Sequence, residues 1–249
     1  MELGAQLYTV RAYTQTLEDF SAALRKVADI GYRTVQVSGT CAYEADWLRD
    51  RLRETGLRCV ITHVDPGTLP DNPAAAADAH GVFDCRYIGI GSMPGGTDCY
   101  DTFVGQFKPA ARAIAGKGCL LMYHNHNFEF VKVDRRNYLE RLAEDFTPEE
   151  MGFTLDTYWV QAAGGDPAQW LRRLSGRVPC VHCKDMVYRD GGVRFAPVGG
   201  GNMNFDAILD ACRDAGTEYL LVEQDVCYGE DPFVCLKRSY EFLTARGLA

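Results

Sequence analysis

The chain has 249 residues, of which 47% are hydrophobic and 24% charged, and its formal net charge is −8. That length is too great for a small stapled domain and matches one α/β barrel, and the apolar share is enough to fill a large core. An acidic surface repels phosphate backbones and anionic lipid, which argues against nucleic acid or membrane as partners.

The opening Met1 to Gln6 lacks the basic region and apolar run of a signal peptide, and no apolar stretch approaches the roughly 20 residues of a membrane helix. A cytoplasmic, reducing location is therefore expected. The ten cysteines then read as free thiols and small core residues. Cys180 and Cys183 have CxxC spacing, but there is no second CxxC and no helix start beside them. They read as strand residues, not as a redox or zinc pair.

The chain repeats one pattern: a short β-rich apolar run, a loop, an amphipathic helix. The first run is Leu3 to Tyr8, and a helix follows over Leu17 to Ile30, with Thr16 as N-cap and Gly31 as stop. Next come a run at Arg33 to Val37 with a helix near Ala42 to Thr55, and a run at Leu57 to Thr62 with a helix near Pro73 to His80. The fourth unit is Arg86 to Ile90 with Tyr100 to Gly116, and the fifth is Cys119 to His124 with Arg136 to Asp145. The sixth is Gly152 to Asp156 with Asp166 to Leu174. The seventh is Val178 to His182 with Phe205 to Ala215. The eighth is Tyr219 to Glu223 with Pro232 to Ala245. Eight uninterrupted β-then-α units predict a parallel sheet closed as a (β/α)8 TIM barrel, one domain over residues 1–249. The alternative, an open doubly wound sheet, usually carries a glycine-rich first turn, and Thr9 to Gln15 contains no glycine. The longest irregular stretch, Asp185 to Asn204, follows strand seven and reads equally well as a lid or as a surface excursion.

Four of the five histidines (His63, His124, His126 and His182, but not His80) fall at or just past a predicted strand end, where barrel enzymes keep their sites. Side chains alternate along a strand. If His124 points inward, so do Met122 and Leu120, while Tyr123 packs outward. If His182 points inward, so does Cys180, and Lys184 returns to the mouth. Asp156 and Glu223 leave apolar strands at the same rim. Buried carboxylates without partners are costly, and carboxylates beside imidazoles at one mouth make a mixed N/O metal site. Such ligation permits Mn, Mg, Co, Zn or Fe. The competing reading is a hydrogen-bonded rim without metal.

Three segments, Phe153-Thr154-Leu155-Asp156-Thr157-Tyr158-Trp159, Val181-His182-Cys183-Lys184-Asp185 and Leu221-Val222-Glu223-Gln224-Asp225, resemble those of the sugar phosphate isomerase/epimerase superfamily of xylose-isomerase-like barrels. Gly4 to Arg11 and Tyr123 to Phe130 add to the resemblance, which spans essentially the whole chain. It implies that Asp156, His182 and Glu223 are metal ligands. The fourth ligand in such relatives is usually a glutamate ending strand five. Here strand five ends in His124, which is expected to take that position, with Glu129 in the following loop as an alternative ligand or as an acid/base group. Trp159 stands where epimerase relatives often carry histidine, and Gln36 where they often carry glutamate.

The resemblance implies a divalent-metal-dependent isomerase or epimerase of a sugar, keto-sugar or sugar phosphate, acting through an enediolate. Glu223 and Glu129 are the expected proton-transfer groups. Gln6, His63, His126, Trp159, Lys184 and Asp185 are the expected contacts to a carbohydrate, with Lys184 and Asp185 also candidates for orienting His182. A homo-oligomer is compatible with this reading. The nearest rival is a metal-dependent dehydratase or lyase on a keto-sugar or inosose. A DNA-repair endonuclease fits poorly with few histidines and an acidic chain, and a catalytically dead sugar-binding subunit is a further alternative.

Overall fold

Eight parallel strands close on themselves in the computed structural model, which describes residues 1–248. In chain order they are β1 (Glu2–Gln6), β2 (Thr34–Val37), β3 (Arg58–Val64), β4 (Tyr87–Ile90), β5 (Leu120–His124), β6 (Met151–Asp156), β7 (Cys180–Cys183) and β8 (Tyr219–Val222). Each pairs with its neighbours in sequence, and β8 pairs with β1. Closure rules out the open sheet.

The helices on the outside are α1 (Leu17–Ile30), α2 (Ala45–Thr55), α3 (Pro73–Val82), α4 (Tyr100–Ala115), α5 (Tyr138–Asp145), α6 (Thr157–Ala162), α7 (Pro167–Arg173), α8 (Phe205–Ala215) and α9 (Pro232–Thr244). Their starts follow local chemistry. Thr16 caps α1 by accepting from the Asp19 N–H. Asn137 and Glu140 form a reciprocal capping box at α5, so that helix starts after Arg136.

Strand alternation sorts the core into two bodies. Outside the barrel wall, Tyr123, Leu121, Val181 and Val222 pack with the helices. Inside it, Ile61, Tyr87, Met122, Cys180 and Leu221 fill the barrel. The Met122, Cys180 and Tyr123 orientations agree with the expected parity, and Cys180 and Cys183 are free thiols. Burying this much apolar surface is the main stabilising term of such a fold, at roughly 25 cal/mol per Å². One glycine makes room for the site: a Cβ at Gly89 would lie 2.8 Å from the His63 ring, inside the barrel.

Three segments depart from expectation. β1 stops at Gln6, because the chain turns into a 3-10 segment, Leu7–Tyr13, where the Tyr8 N–H donates to the Gln6 side chain. A short helix, α6, directly follows β6 and had no sequence counterpart. The stretch after β7 is ordered as an antiparallel hairpin, Asp185–Arg189 with Gly192–Ala196.

Candidate active site

The inward positions at the C-terminal ends of the strands carry the polar residues of the barrel. His124, Asp156, His182 and Glu223 come from β5, β6, β7 and the end of β8. All four are buried, and each offers one ligand atom within 4.8 Å of the others. Strand register produces this meeting: Asp156 lies opposite His182, and the Glu223 N–H continues the ladder onto the Cys183 carbonyl.

Asp156 divides its two oxygens. Oδ1 caps α6 by accepting from the Trp159 N–H at 2.9 Å. Oδ2 faces His124 Nε2 at 3.2 Å and His182 Nδ1 at 3.7 Å. The cap holds the carboxylate in one rotamer, which is what α6 contributes to the site. Asn125, just past β5, fixes the same residue by accepting its backbone N–H at 3.0 Å.

Both histidines are pinned from behind. His124 Nδ1 lies 3.1 Å from the Gly91 carbonyl oxygen, and His182 Nε2 lies 2.7 Å from Gln36 Oε1. Each of those oxygens accepts, so each outer ring nitrogen carries a hydrogen and the opposite nitrogen faces the carboxylates. His182 Nδ1 and Glu223 Oε2 stand 2.8 Å apart, and the Lys184 ammonium lies 3.0 Å from the same oxygen. Carboxylate oxygens and imidazole nitrogens converging in this way make a position for a cation, and outer N–H groups held by acceptors are the usual support of metal-ligating imidazoles. The donor set therefore fits a divalent ion.

The charges agree. Burial works against the charged form of His182, but Glu223 and Asp156 outweigh it and raise its pKa. Burial likewise opposes ionisation of Asp156 and Glu223, and the Lys184 ammonium, helped by the imidazoles, holds both well below the ordinary carboxylate range. His124 is lowered by burial and by His182. Positive charge is favoured where these atoms meet.

Above the cluster opens a cavity of about 600 Å³. Gln6, His63, His126, Trp159 and Lys184 line it, together with His124 and Glu223. His63 Nε2, His126 Nδ1 and Trp159 Nε1 are buried without partners, a set of groups suited to hydroxyls. Burial lowers the His126 pKa to about 3, which keeps its ring neutral. The hairpin after β7 reaches over this side: Phe195 stacks on Tyr158 with ring centroids 4.2 Å apart and meets Trp159 edge-on at 6.0 Å.

Two expected site residues lie elsewhere. Glu129 is fully buried outside the barrel wall, where Oε1 accepts from the Tyr123 hydroxyl at 2.6 Å and Oε2 from the His126 N–H at 2.8 Å. Tyr123 points outward by parity, so a carboxylate bonded to it stands behind the wall. Glu129 neither lines the cavity nor joins the four ligand atoms, and burial raises its pKa to about 7. Asp185 also misses the cavity. Its carboxylate accepts from the N–H groups of Met186, Gly199, Gly201 and Met203, and so gathers the chain returning from the hairpin. Gly201 is needed there, since a Cβ would fall 2.3 Å from Asp185 Oδ1. His182 is oriented by Gln36, not by Asp185.

Two contributors escaped the sequence reading. Gln36 stood out only as a departure from glutamate, although its inward position at the end of β2 was a usable signal. Asp225 lines the cavity and sits 3.0 Å from Lys184 Nζ. It lies two residues past Glu223, and burial followed by Glu223 raises its pKa to about 7. His80, the histidine not placed at a strand end, is structural: it is held between Thr62 Oγ1 and the Ala76 carbonyl, each at 2.7 Å.

A family model described as the xylose isomerase-like TIM barrel matches residues 24–232. The chain belongs to that family. Among solved structures, it is similar to a sugar phosphate isomerase/epimerase from Parabacteroides distasonis, with a TM-score of 0.80 and 22% identity, over 98% of this chain and 93% of that one. It is also similar to an L-ribulose 3-epimerase, with a TM-score of 0.75 and 14% identity, over 98% and 94% of the two chains. A third is a probable 3-DHS dehydratase from Bacillus anthracis, with a TM-score of 0.74 and 17% identity, over 98% and 99%. At these identities the likeness concerns the fold. No curated protein sequence matches the chain. Among the described residues no helix is long and apolar enough to cross a membrane.

Proposed function

We propose that this barrel is a divalent-metal-dependent isomerase or epimerase of a small keto-sugar. The observation that carries the reading is the pair of imidazoles whose outer N–H groups are engaged by Gly91 O and Gln36 Oε1, which turns their inner nitrogens onto Asp156 and Glu223 at the floor of a polar cavity. His124, Asp156, His182 and Glu223 would hold the ion. When bound, a divalent ion supplies Lewis-acid polarisation of a carbonyl and its neighbouring hydroxyl, which acidifies the intervening C–H.

The chain's own groups supply the rest. Glu223 ends at the cavity floor and is ionised, so it is the group placed to take a proton there. Asp225, at the same rim and paired with the Lys184 ammonium at 3.0 Å, is suited to hand a proton back. Trp159 offers an apolar face to a sugar ring, and His63, His126 and Gln6 offer hydroxyl partners. Among the described residues a single ligand cluster is found, which favours one ion over the several that a DNA-repair nuclease needs.

A dehydratase is the second reading. The Lys184–Asp225 pair beside the cavity supports it, because its proton can go to a departing hydroxyl.

The test is to incubate the Mn²⁺-loaded protein with ketoses, with and without phosphate groups, in D2O. Deuterium appearing beside the carbonyl with no water lost supports the isomerase. Loss of water from the product moves the assignment to the dehydratase. No exchange and no loss on any ketose sinks both.

A further inference from the structure

Lys184 is 1% exposed, yet carries a full charge into the ligand cluster. Its Nζ lies 2.9 Å from Asp156 Oδ2 and 3.0 Å from Glu223 Oε2. Those are the two oxygens that face the imidazole nitrogens. A third carboxylate, Asp225, also sits 3.0 Å away and is not one of the four ligands. The aromatic rings of Trp159 and Phe195 lie 5.7 and 5.9 Å from the ammonium.

We infer that Lys184 is a tethered counter-cation that competes with the divalent ion for Asp156 and Glu223, and that Asp225 is the carboxylate that receives its ammonium when the ion binds. The inference rests on reading the cluster as a metal site. Its basis is distance and charge.

An ion on Asp156 Oδ2 would lie about 2.0–2.2 Å from that oxygen. An ammonium 2.9 Å from the same atom then stands no more than about 5 Å from the ion. Like charges at that separation in a buried site repel strongly, so the two cannot share the oxygens without cost. Moving wholly onto Asp225 is a short step, since Nζ already touches it. In the exchanged arrangement the two ligand carboxylates balance the ion, and Asp225 balances Lys184. Every charge then has an opposite neighbour, which is the condition under which buried ions are tolerated.

Two opposed effects follow. Removing Lys184 deletes the competitor, and removing the Asp225 charge deletes its landing place. The second change should matter only while Lys184 is present, because Asp225 acts through it.

The experiment titrates full-length, chelator-stripped protein with MnCl2 by calorimetry, with Mn²⁺-dependent thermal protection as an independent readout. Lys184→Gln is expected to bind Mn²⁺ at least about tenfold tighter than wild type, and Asp225→Asn at least about tenfold weaker. In the Lys184→Gln background, Asp225→Asn should change the affinity by less than about threefold, a coupling that a double-mutant cycle isolates. If Lys184→Gln accumulates only in Mn²⁺-containing medium, chelator competition on the loaded protein reads the same affinity. Equal or weaker binding by Lys184→Gln overturns the inference while leaving the metal site intact. So does an Asp225→Asn effect of the same size in both backgrounds. A wild type that binds no Mn²⁺, Mg²⁺, Co²⁺ or Zn²⁺, or a His182→Ala variant that binds as well as wild type, removes the metal reading itself and this inference with it.

Discussion

Two buried glutamates at the same end of the barrel have opposite electrostatics. Glu223 ends β8 inside the wall, where Lys184 and His182 outweigh burial and hold its carboxyl well below the ordinary range. Glu129 lies behind the wall, where burial outweighs two neutral donors and raises its pKa to about 7. Both are carboxylates close in sequence or space to His124. The side of the strand on which each falls decides whether it meets cations or merely hydrogen-bond donors. A site of this kind is therefore defined by what shares the barrel interior, and depth of burial alone does not identify it.

The largest expected effect tests that division directly. On the proposed reading Glu223→Gln removes a ligand and a proton acceptor together, and turnover should fall by at least about a thousandfold with Mn²⁺ affinity falling alongside. Glu129→Gln should leave one Mn²⁺ bound per chain and keep turnover within about tenfold of wild type, an indirect loss through His126. Equal losses of turnover and metal in the two variants would break the contrast and return Glu129 to the site.

Stability against pH gives the next effect. The Glu129 pKa is raised from 4.5 to about 7 in the folded chain. Between those values the folded state holds a proton that the unfolded chain has lost, so stability falls as pH rises from about 4.5 to about 7 and is level above. The contribution is at most about 3 kcal/mol. Denaturant unfolding of wild type and Glu129→Gln at several pH values should show a steeper decline in the wild type by that amount. Parallel curves would mean that Glu129 does not carry the strain of burial.

How far the sequence revealed all this depends on which rule each residue obeys. The barrel and its inward residues were legible because apolar alternation and strand ends are local patterns. Met122 and Cys180 inside, Tyr123 outside, and His124, Asp156, His182 and Glu223 together all follow from them. Glu129 was misplaced because a separation of five residues from His124 says nothing about which side of the wall the chain takes. The 3-10 turn Phe128–Phe130 carries it behind Tyr123. Asp185 was misplaced although alternation sets it opposite Lys184, and its attraction to four backbone N–H groups depends on a chain return that no local pattern encodes. The hairpin it starts did have a signal. Asp190-Gly191, with φ of 52° and 79°, is a two-residue turn of the kind that Asp-Gly favours. α6 was hidden because its cap, Asp156, reads first as a ligand.

The support behind the ligands offers a smaller effect. Gln36→Leu keeps the volume beside His182 but removes the acceptor of its Nε2–H, so the ring is free to change tautomer and orientation. Mn²⁺ affinity should fall about 10–100-fold with the fold intact, read by calorimetry and by thermal unfolding of the stripped protein. An unchanged affinity would mean that packing alone orients His182.

The smallest effect probes the outer glutamate through its partner. Tyr123→Phe removes only the hydroxyl that donates to Glu129 Oε1 at 2.6 Å, and the ring remains packed edge-on against Phe103 with centroids 5.8 Å apart. The loss should be about 1 kcal/mol at pH 5, where Glu129 is protonated and a neutral hydrogen bond is lost. It should be larger at pH 8, where an ionised buried carboxylate loses one of its two donors, so the Glu129 pKa rises further in the variant. Mn²⁺ affinity should not change at either pH. A pH-independent stability loss would place the Glu129 charge elsewhere. A change in metal binding would show that the wall between the two glutamates transmits more than the separation of their hydrogen bonds implies.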